Sequence, residues 1–252
     1  MQLGFLGSGK ITQSIIHGIL NSKIRVKTVY ISYRNKEISK YLSKKFRKVK
    51  VLKNNQEIVN KSNIVFLAIT PKVGHKILPK LKFQTNKKII SLISTIKLDT
   101  IKKYTKNKKV TRVIPLPFIN MKKGPIIICP KDNKTKTFFS NLGTVIEVKK
   151  EKLSKGFWAT SSFMASFYNL LSVTSNWLTS KGVNKYEAEK YTKELFLALL
   201  EDANNKNKTS LKQLVVESQT PGGTNAYVLQ ELKKKKFYKL QQKVLNNIFK
   251  KF

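Results

Sequence analysis

Through residues 1–150, short apolar runs rich in β-branched side chains recur with polar, helix-compatible stretches between the first few, and few architectures accept that rhythm. The runs are QLGFL (2–6), TVYIS (28–32), NIVFLAI (63–69), KIISLI (88–93), TRVIP (111–115), PIIIC (125–129) and TVIEV (144–148). Continuous rather than alternating apolarity belongs to strands buried on both faces, so a mostly parallel sheet covered by helices is predicted. After Glu147 the period changes. Apolar residues then repeat at helical spacing: Phe163, Phe167, Leu170, Leu171, Thr174 and Leu178 within 157–178, Tyr191, Leu195, Ala198 and Leu199 within 186–204, and Phe237, Leu240, Val244, Ile248 and Phe252 at the end. Proline is absent between residues 131 and 220, as long helices require. The expectation is two domains, α/β over 1–150 and all-helical over 151–252. The helical half carries Phe157, Trp158, Phe163, Phe167, Tyr168 and Trp177, more aromatic surface than so small a domain covers alone, which predicts a homodimer or higher homo-oligomer.

Charge narrows the partners. Lysine and arginine total 51 against 13 acidic residues, a formal net charge of +38, which brings nucleic acid to mind first. Yet only Arg25, Arg34, Arg47 and Arg112 are arginines, and the lysines are dispersed along the chain rather than gathered into one tract. Base readout and bidentate phosphate clamps favour the guanidinium fork, so the lysines read as solvated surface and nucleic acid is not the expected partner. Cys129 is the sole cysteine, which rules out an intrachain disulfide and a cysteine-rich metal site; no metal is expected. No apolar run approaches the ~18–20 residues that span a bilayer, and MQLGFLGSGK reads as a strand rather than a signal peptide. A cytoplasmic protein without membrane association is expected.

The chemistry begins at Gly7-Ser8-Gly9, between the first strand and the first helix. One glycine permits a tight turn and the next lets backbone approach a pyrophosphate at the positive helix end. Thr12 stands where a third glycine is common. About 25 residues on, where a carboxylate would hold the ribose diol of NAD, the chain has Ser32, Tyr33 and Arg34. A 2′-phosphate suits Ser32 and Arg34, so NADPH is predicted over NADH. A P-loop is disfavoured because Ile11 follows Lys10 where Ser or Thr should stand, and neither G-x-S-x-G nor H-E-x-x-H is present.

Four segments in series resemble the pyrroline-5-carboxylate reductase family. They are GFLGSGKITQSIIHGIL (4–20), VFLAITPK (65–72), TRVIPLP (111–117) and QTPGGTNAYVLQEL (219–232). The resemblance implies a Rossmann domain followed by a helical dimerisation domain. It places Gly7, Ser8, Gly9, Lys10 and Ile11 around the pyrophosphate, Ser32 and Arg34 around the adenosine phosphate, and Asn55 near the adenosine ribose. Ala68, Thr70 and Pro71 would lie beside the nicotinamide ribose. Thr220, Gly222, Gly223, Thr224 and Asn225 would receive the substrate carboxylate at a helix start, a position with free N–H groups. Met164 and Tyr168 would also contact substrate, and Asn225 and Thr224 would orient the imine.

The sequence departs from the family at the substrate half. Its S-G-S-G-P-A-Y stretch is represented by Ser162-Phe163-Met164-Ala165-Ser166-Phe167-Tyr168, Asn225 stands for a threonine, Thr70 for a lysine, and Leu116 and Phe118 make the IPLPF wall more apolar. The implied reaction is NADPH-dependent reduction of 1-pyrroline-5-carboxylate, a cyclic imino acid, to proline. A protonated imine needs positioning rather than a strong acid, which suits a chain whose only histidines, His17 and His75, are expected outside the pocket. The alternatives are a divergent reductase of another imino acid or keto compound, and a non-catalytic dinucleotide-binding module.

Overall fold

In the computed structural model, which describes residues 1–251, strand β1 (Gln2–Leu6) buries Leu3, Phe5 and Leu6 completely because helices cover both faces. Next come α1 (Lys10–Leu20), β2 (Thr28–Ser32), α2 (Lys36–Lys45), β3 (Val49–Leu52), α3 (Asn55–Lys61), β4 (Ile64–Leu67) and α4 (Pro71–Ile77). The sheet is completed by β5 (Lys88–Ser91), α5 (Leu98–Thr105), β6 (Val110–Ile114), β7 (Pro125–Cys129), α6 (Asn133–Phe139) and β8 (Thr144–Glu147). Among the described residues these strands form one sheet in the order β3-β2-β1-β4-β5-β6-β7-β8. Neighbours pair in parallel except β6 with β7. All seven expected runs are strands. The additional one, β3, is a short edge strand whose Lys50 is exposed, so its apolar pattern is interrupted.

One face of the sheet packs Leu3, Phe5, Phe66 and Ile90 against Ile15, Ile16 and Ile19 of α1 and Phe139 of α6. Phe5 and Phe66, paired in register across β1 and β4, stack with ring centroids 4.3 Å apart. The other face packs Leu6, Val65, Leu67 and Ile89 against Ile58 of α3 and Ile101 of α5. Each such side chain contributes ~1.5–3 kcal/mol relative to exposure.

The chain divides into compact units Met1–Trp158 and Ala159–Lys251, and α7 (Glu151–Ser161) runs across the division. The reason lies in what the first turns of α7 touch. Phe157 and Trp158 pack on the apolar cluster beneath α3 and α5, and Glu151 pairs with Arg112 of β6, a side chain only 3% exposed. Arg112 also donates to the Ile96 carbonyl, and both Glu151 carboxylate oxygens accept from the Leu98 amide at 3.1 Å.

The second unit is helical: α8 (Met164–Ser180), α9 (Lys185–Asn205), α10 (Leu211–Glu217), α11 (Thr224–Lys234) and α12 (Phe237–Phe249). Asn184 and Ser210 cap α9 and α10 by accepting from the amides of Tyr186 and Gln213. The helix expected across 157–178 is broken at Ser162–Phe163, and Phe167 and Leu170 of its apolar face are exposed in the single chain. On α9 the apolar face is likewise outward. Tyr191, Leu195 and Leu199 are exposed while Ala188 and Thr192 are buried, as is Ser175 of α8, because small side chains let α8 and α9 approach closely. Phe237, Leu240 and Val244 of α12 are exposed too; Phe252 lies outside the described residues. Among the described residues of this unit only Ala159, Ser175, Ala188 and Thr192 are fully buried, far too small a core for a free-standing domain. No described helix is long and apolar enough to cross a membrane.

Candidate functional site

The strand order reverses at β1, whose neighbours are β2 and β4, and the chain leaves the sheet at the carboxyl ends of β1 and β4. Open α/β sheets form a crevice at such a switch point. Here it is an open cleft of about 560 Å³ lined by Gly7, Ser8, Gly9, Arg34 to Glu37 and Ala68 to Thr70.

Gly7 takes φ +113°, and a Cβ on it would lie 2.1 Å from the Ala68 carbonyl oxygen, so only glycine fits. Gly9 differs. It is the N-cap of α1 at φ −82°, and a Cβ there would meet nothing within 4 Å. The protein itself imposes no glycine at position 9; an incoming ligand pressed against the backbone would. The first turn of α1 carries no acidic residue, so its free N–H groups present an uncompensated positive end.

Three buried hydroxyls hold this loop. The Ser32 hydroxyl accepts from the Gly7 amide at 2.9 Å, the Thr12 hydroxyl donates to the Gly7 carbonyl at 3.0 Å, and the Ser8 hydroxyl accepts from the Asn35 amide at 2.9 Å. Thr12 therefore replaces a glycine with a tie between α1 and the turn. Ser32 corrects the expectation drawn from the sequence. It is 5% exposed and does not line the cleft, because its oxygen is committed to the loop backbone. Ser8, 2% exposed, likewise turns its side chain inward and leaves its backbone to the cleft.

Of the other expected cofactor residues, Arg34, Ala68 and Thr70 line the cleft, and Arg34 is exposed and forms no ion pair among the described residues. Lys10, Ile11, Asn55 and Pro71 do not line it. Lys10 and Ile11 lie in the first turn of α1, Asn55 begins α3 behind its cap Asn54, and Pro71 begins α4. Asn35, Lys36, Glu37 and Ile69 line it unforeseen. Asn35 caps α2 by accepting from the Ile38 amide, a role that Asn at the end of a strand signals in sequence. Glu37 matters most, because a carboxylate does border the cleft after all, one helical turn away from the position where it was sought. His17 stacks on Tyr41, and His75 shares a 2.8 Å hydrogen bond with Tyr104; neither lines the cleft.

In the helical unit, Thr220-Pro221-Gly222-Gly223 forms a tight turn closed by the Gly223 amide donating to the Thr220 carbonyl at 2.8 Å. Gly222 adopts φ +72°, the left-handed position that a proline-glycine turn of type II demands. Gly223 caps α11 without a side chain, Thr224 is its first residue, and the helix end is exposed. Asn225 Nδ2 donates to the Ser218 carbonyl at 3.0 Å. That bond uses one of the amide's two N–H hydrogens and fixes the turn. Met164 opens α8 next to Phe163, and Tyr168, 57% exposed, lies one turn on.

Two family models match the chain: NADP oxidoreductase, coenzyme F420-dependent, over residues 2–96, and pyrroline-5-carboxylate reductase dimerisation over residues 151–252. The pyrroline-5-carboxylate reductase of Arabidopsis thaliana is 26% identical over 45% of this chain, a match spanning only 42% of that relative's length. Pyrroline-5-carboxylate reductase 2 of Bacillus subtilis is 24% identical over 94% of this chain and 88% of its own. Among solved structures, 1-pyrroline-5-carboxylate reductase from Streptococcus pyogenes superposes with a TM-score of 0.85 at 20% identity, covering 100% of this chain and 97% of that one. Plasmodium falciparum pyrroline carboxylate reductase with NADP bound gives 0.84 at 20% identity, covering 100% and 96%.

Proposed function

The chain belongs to the pyrroline-5-carboxylate reductase family, and on that premise we propose that it uses NADPH to reduce a cyclic imine carboxylate, 1-pyrroline-5-carboxylate, to proline. The observation that carries the reading is the Gly7-Ser8-Gly9 turn at the sheet's switch point, open at Gly9 and flanked by the unpaired Arg34. Backbone around Gly7 and Gly9 and the amino end of α1 would take the pyrophosphate, with Lys10 and Ile11 in that first turn. Arg34 would take the 2′-phosphate, Ala68, Thr70 and Pro71 would flank the nicotinamide ribose, and Asn55 the adenosine ribose. The nicotinamide, when bound, supplies the hydride.

The amino end of α11, with Thr220, Gly222, Gly223 and Thr224, would hold the substrate carboxylate. Asn225, which also ties that turn to Ser218, would orient the imine with Thr224, and Met164 and Tyr168 would wall the substrate. Positioning of this kind accounts for several kcal/mol of barrier lowering without a strong acid, the imine drawing its proton from solvent. The partner in this reading is a second copy of the chain, covering the apolar faces of α8, α9 and α12 that one copy leaves in water. The reading is of a cytoplasmic enzyme whose single thiol, Cys129, is buried.

Initial rates of NADPH oxidation with 1-pyrroline-5-carboxylate and its six-membered-ring homologue test the proposal, beside calorimetric titration with NADPH. Turnover of the five-membered ring is the expected outcome. Turnover of the larger ring alone would assign another imino acid. NADPH binding without turnover of either would leave a binding module, and absence of NADPH binding would overturn the reading.

A further inference from the structure

We propose that the α/β unit has a second ligand site, at the amino ends of the sheet's central strands and so opposite the glycine turn, for a small amphipathic anion: a phosphate or carboxylate head on an apolar body of ring size. A cavity of about 530 Å³ opens where β4, β5 and β6 begin, at Ile64, Lys88 and Val110. The cofactor cleft lies where β1 and β4 end. The two are separated by the length of β4, about 13 Å at ~3.3 Å per residue.

The cavity pairs two chemistries. Its apolar lining is the partly exposed Ile64 of the sheet and Phe138 of α6, backed by the fully buried Phe66, Ile90 and Phe139. Its rim is cationic, with Lys88, Lys108, Lys109, Lys131 and Lys134 against one carboxylate, Asp132. Asp132 is already engaged, by Lys88 at 2.9 Å and by the Thr135 amide at 2.8 Å. Lys108, Lys109, Lys131 and Lys134 form no ion pair among the described residues, so their positive field is uncompensated.

Thr135, 3% exposed, also lines the cavity, with its hydroxyl set against the Asp132 carboxylate. The rim lysines stand beside the partly exposed Ile64 and Phe138, where an apolar body displaces water at a gain and charge-assisted contacts strengthen.

Calorimetry with 1-naphthyl phosphate, 1-naphthoate and inorganic phosphate, with and without NADP⁺ at about 0.15 M salt, tests the site. Saturable binding of one or both naphthyl probes is expected, with the tighter identifying the preferred head group and with inorganic phosphate at least about ten-fold weaker. The double substitutions Lys131→Glu with Lys134→Glu, and Lys108→Glu with Lys109→Glu, change exposed side chains and should each weaken probe binding about ten-fold. The same charge change on α12, Lys239→Glu with Lys243→Glu, should leave it unaltered. Methyl NMR shifts should centre on Ile64 and Ile90. No saturable naphthyl binding, equal binding of inorganic phosphate, competition by NADP⁺, equal loss in the α12 variant, or shifts elsewhere would each overturn the proposal.

Discussion

The Ser32 hydroxyl at the end of β2 accepts the amide hydrogen of Gly7 at the end of β1, 2.9 Å away, with both residues out of water. An orphaned buried N–H costs ~1–3 kcal/mol. Ser32→Ala should therefore lower stability by about that much, ~2–12 °C in Tm for a chain of this size. It should also raise KM for NADPH while leaving kcat near wild type. Thermal melts and steady-state kinetics check both; an unchanged Tm would show that the bond contributes nothing.

The two glycines of the turn should separate under substitution. Gly7→Ala combines a left-handed φ with a Cβ 2.1 Å from the Ala68 oxygen, so loss of well over ~1 kcal/mol of stability, together with loss of NADPH binding, is expected. Gly9→Ala meets no protein atom within 4 Å and should melt like wild type, yet bind NADPH about ten-fold more weakly because the methyl group occupies the pyrophosphate's approach. Calorimetry beside thermal melts distinguishes them.

Arg34 and Glu37 border the same cleft with opposite charge. Arg34→Ala should raise KM for NADPH about ten-fold with little effect on NADH, and Glu37→Gln should tighten NADPH a few-fold by removing a repulsion. Equal effects on the two cofactors would take Arg34 away from the 2′-phosphate.

Glu151 neutralises Arg112, which is 3% exposed and also bound to the Ile96 carbonyl. Removing one member of a buried pair strands the other, so Glu151→Ala should cost ~3 kcal/mol or more. Arg112→Met with Glu151→Leu should recover much of that loss. Urea melts of the single and double variants provide the comparison.

Burial, with Lys45 nearby adding to it, holds the His17 imidazole below its ordinary value of 6.5, against Tyr41 and Phe46. Between that lowered folded value and 6.5 the unfolded chain binds more protons. Stability is therefore complete above pH 6.5 and falls as the pH drops through the window. His17→Phe should flatten this acid limb, as denaturant midpoints measured between pH 7 and pH 5 would show.

Much of the architecture is legible in the sequence because buried parallel strands are apolar on both faces, and β1, β4 and β7 stand out for that reason. β3 does not, since Lys50 breaks its pattern and an edge strand tolerates the break. The glycine turn is legible from residue types alone. What spacing does not reveal is which backbone groups a short polar side chain touches: the Ser32 oxygen accepts the Gly7 amide, and the Asn225 amide donates one hydrogen to the Ser218 carbonyl. In the helical unit periodicity finds the helices and their apolar stripes, which a single copy leaves exposed. Two apolar stripes can share one helix, and the bulkier one on α9 is left in water while Ala188 and Thr192 pack inward.

In the proposed pairing of two copies through α8, α9 and α12, so thin an interior in residues 159–251 couples maturation to abundance. A newly made polypeptide would then gain most of its helical half's stability only on meeting its twin, an encounter second order in concentration. Sparse expression or high dilution should then erode the folded population itself, and a destabilising change at the far end of α12 would act as though the cell had simply produced less of it.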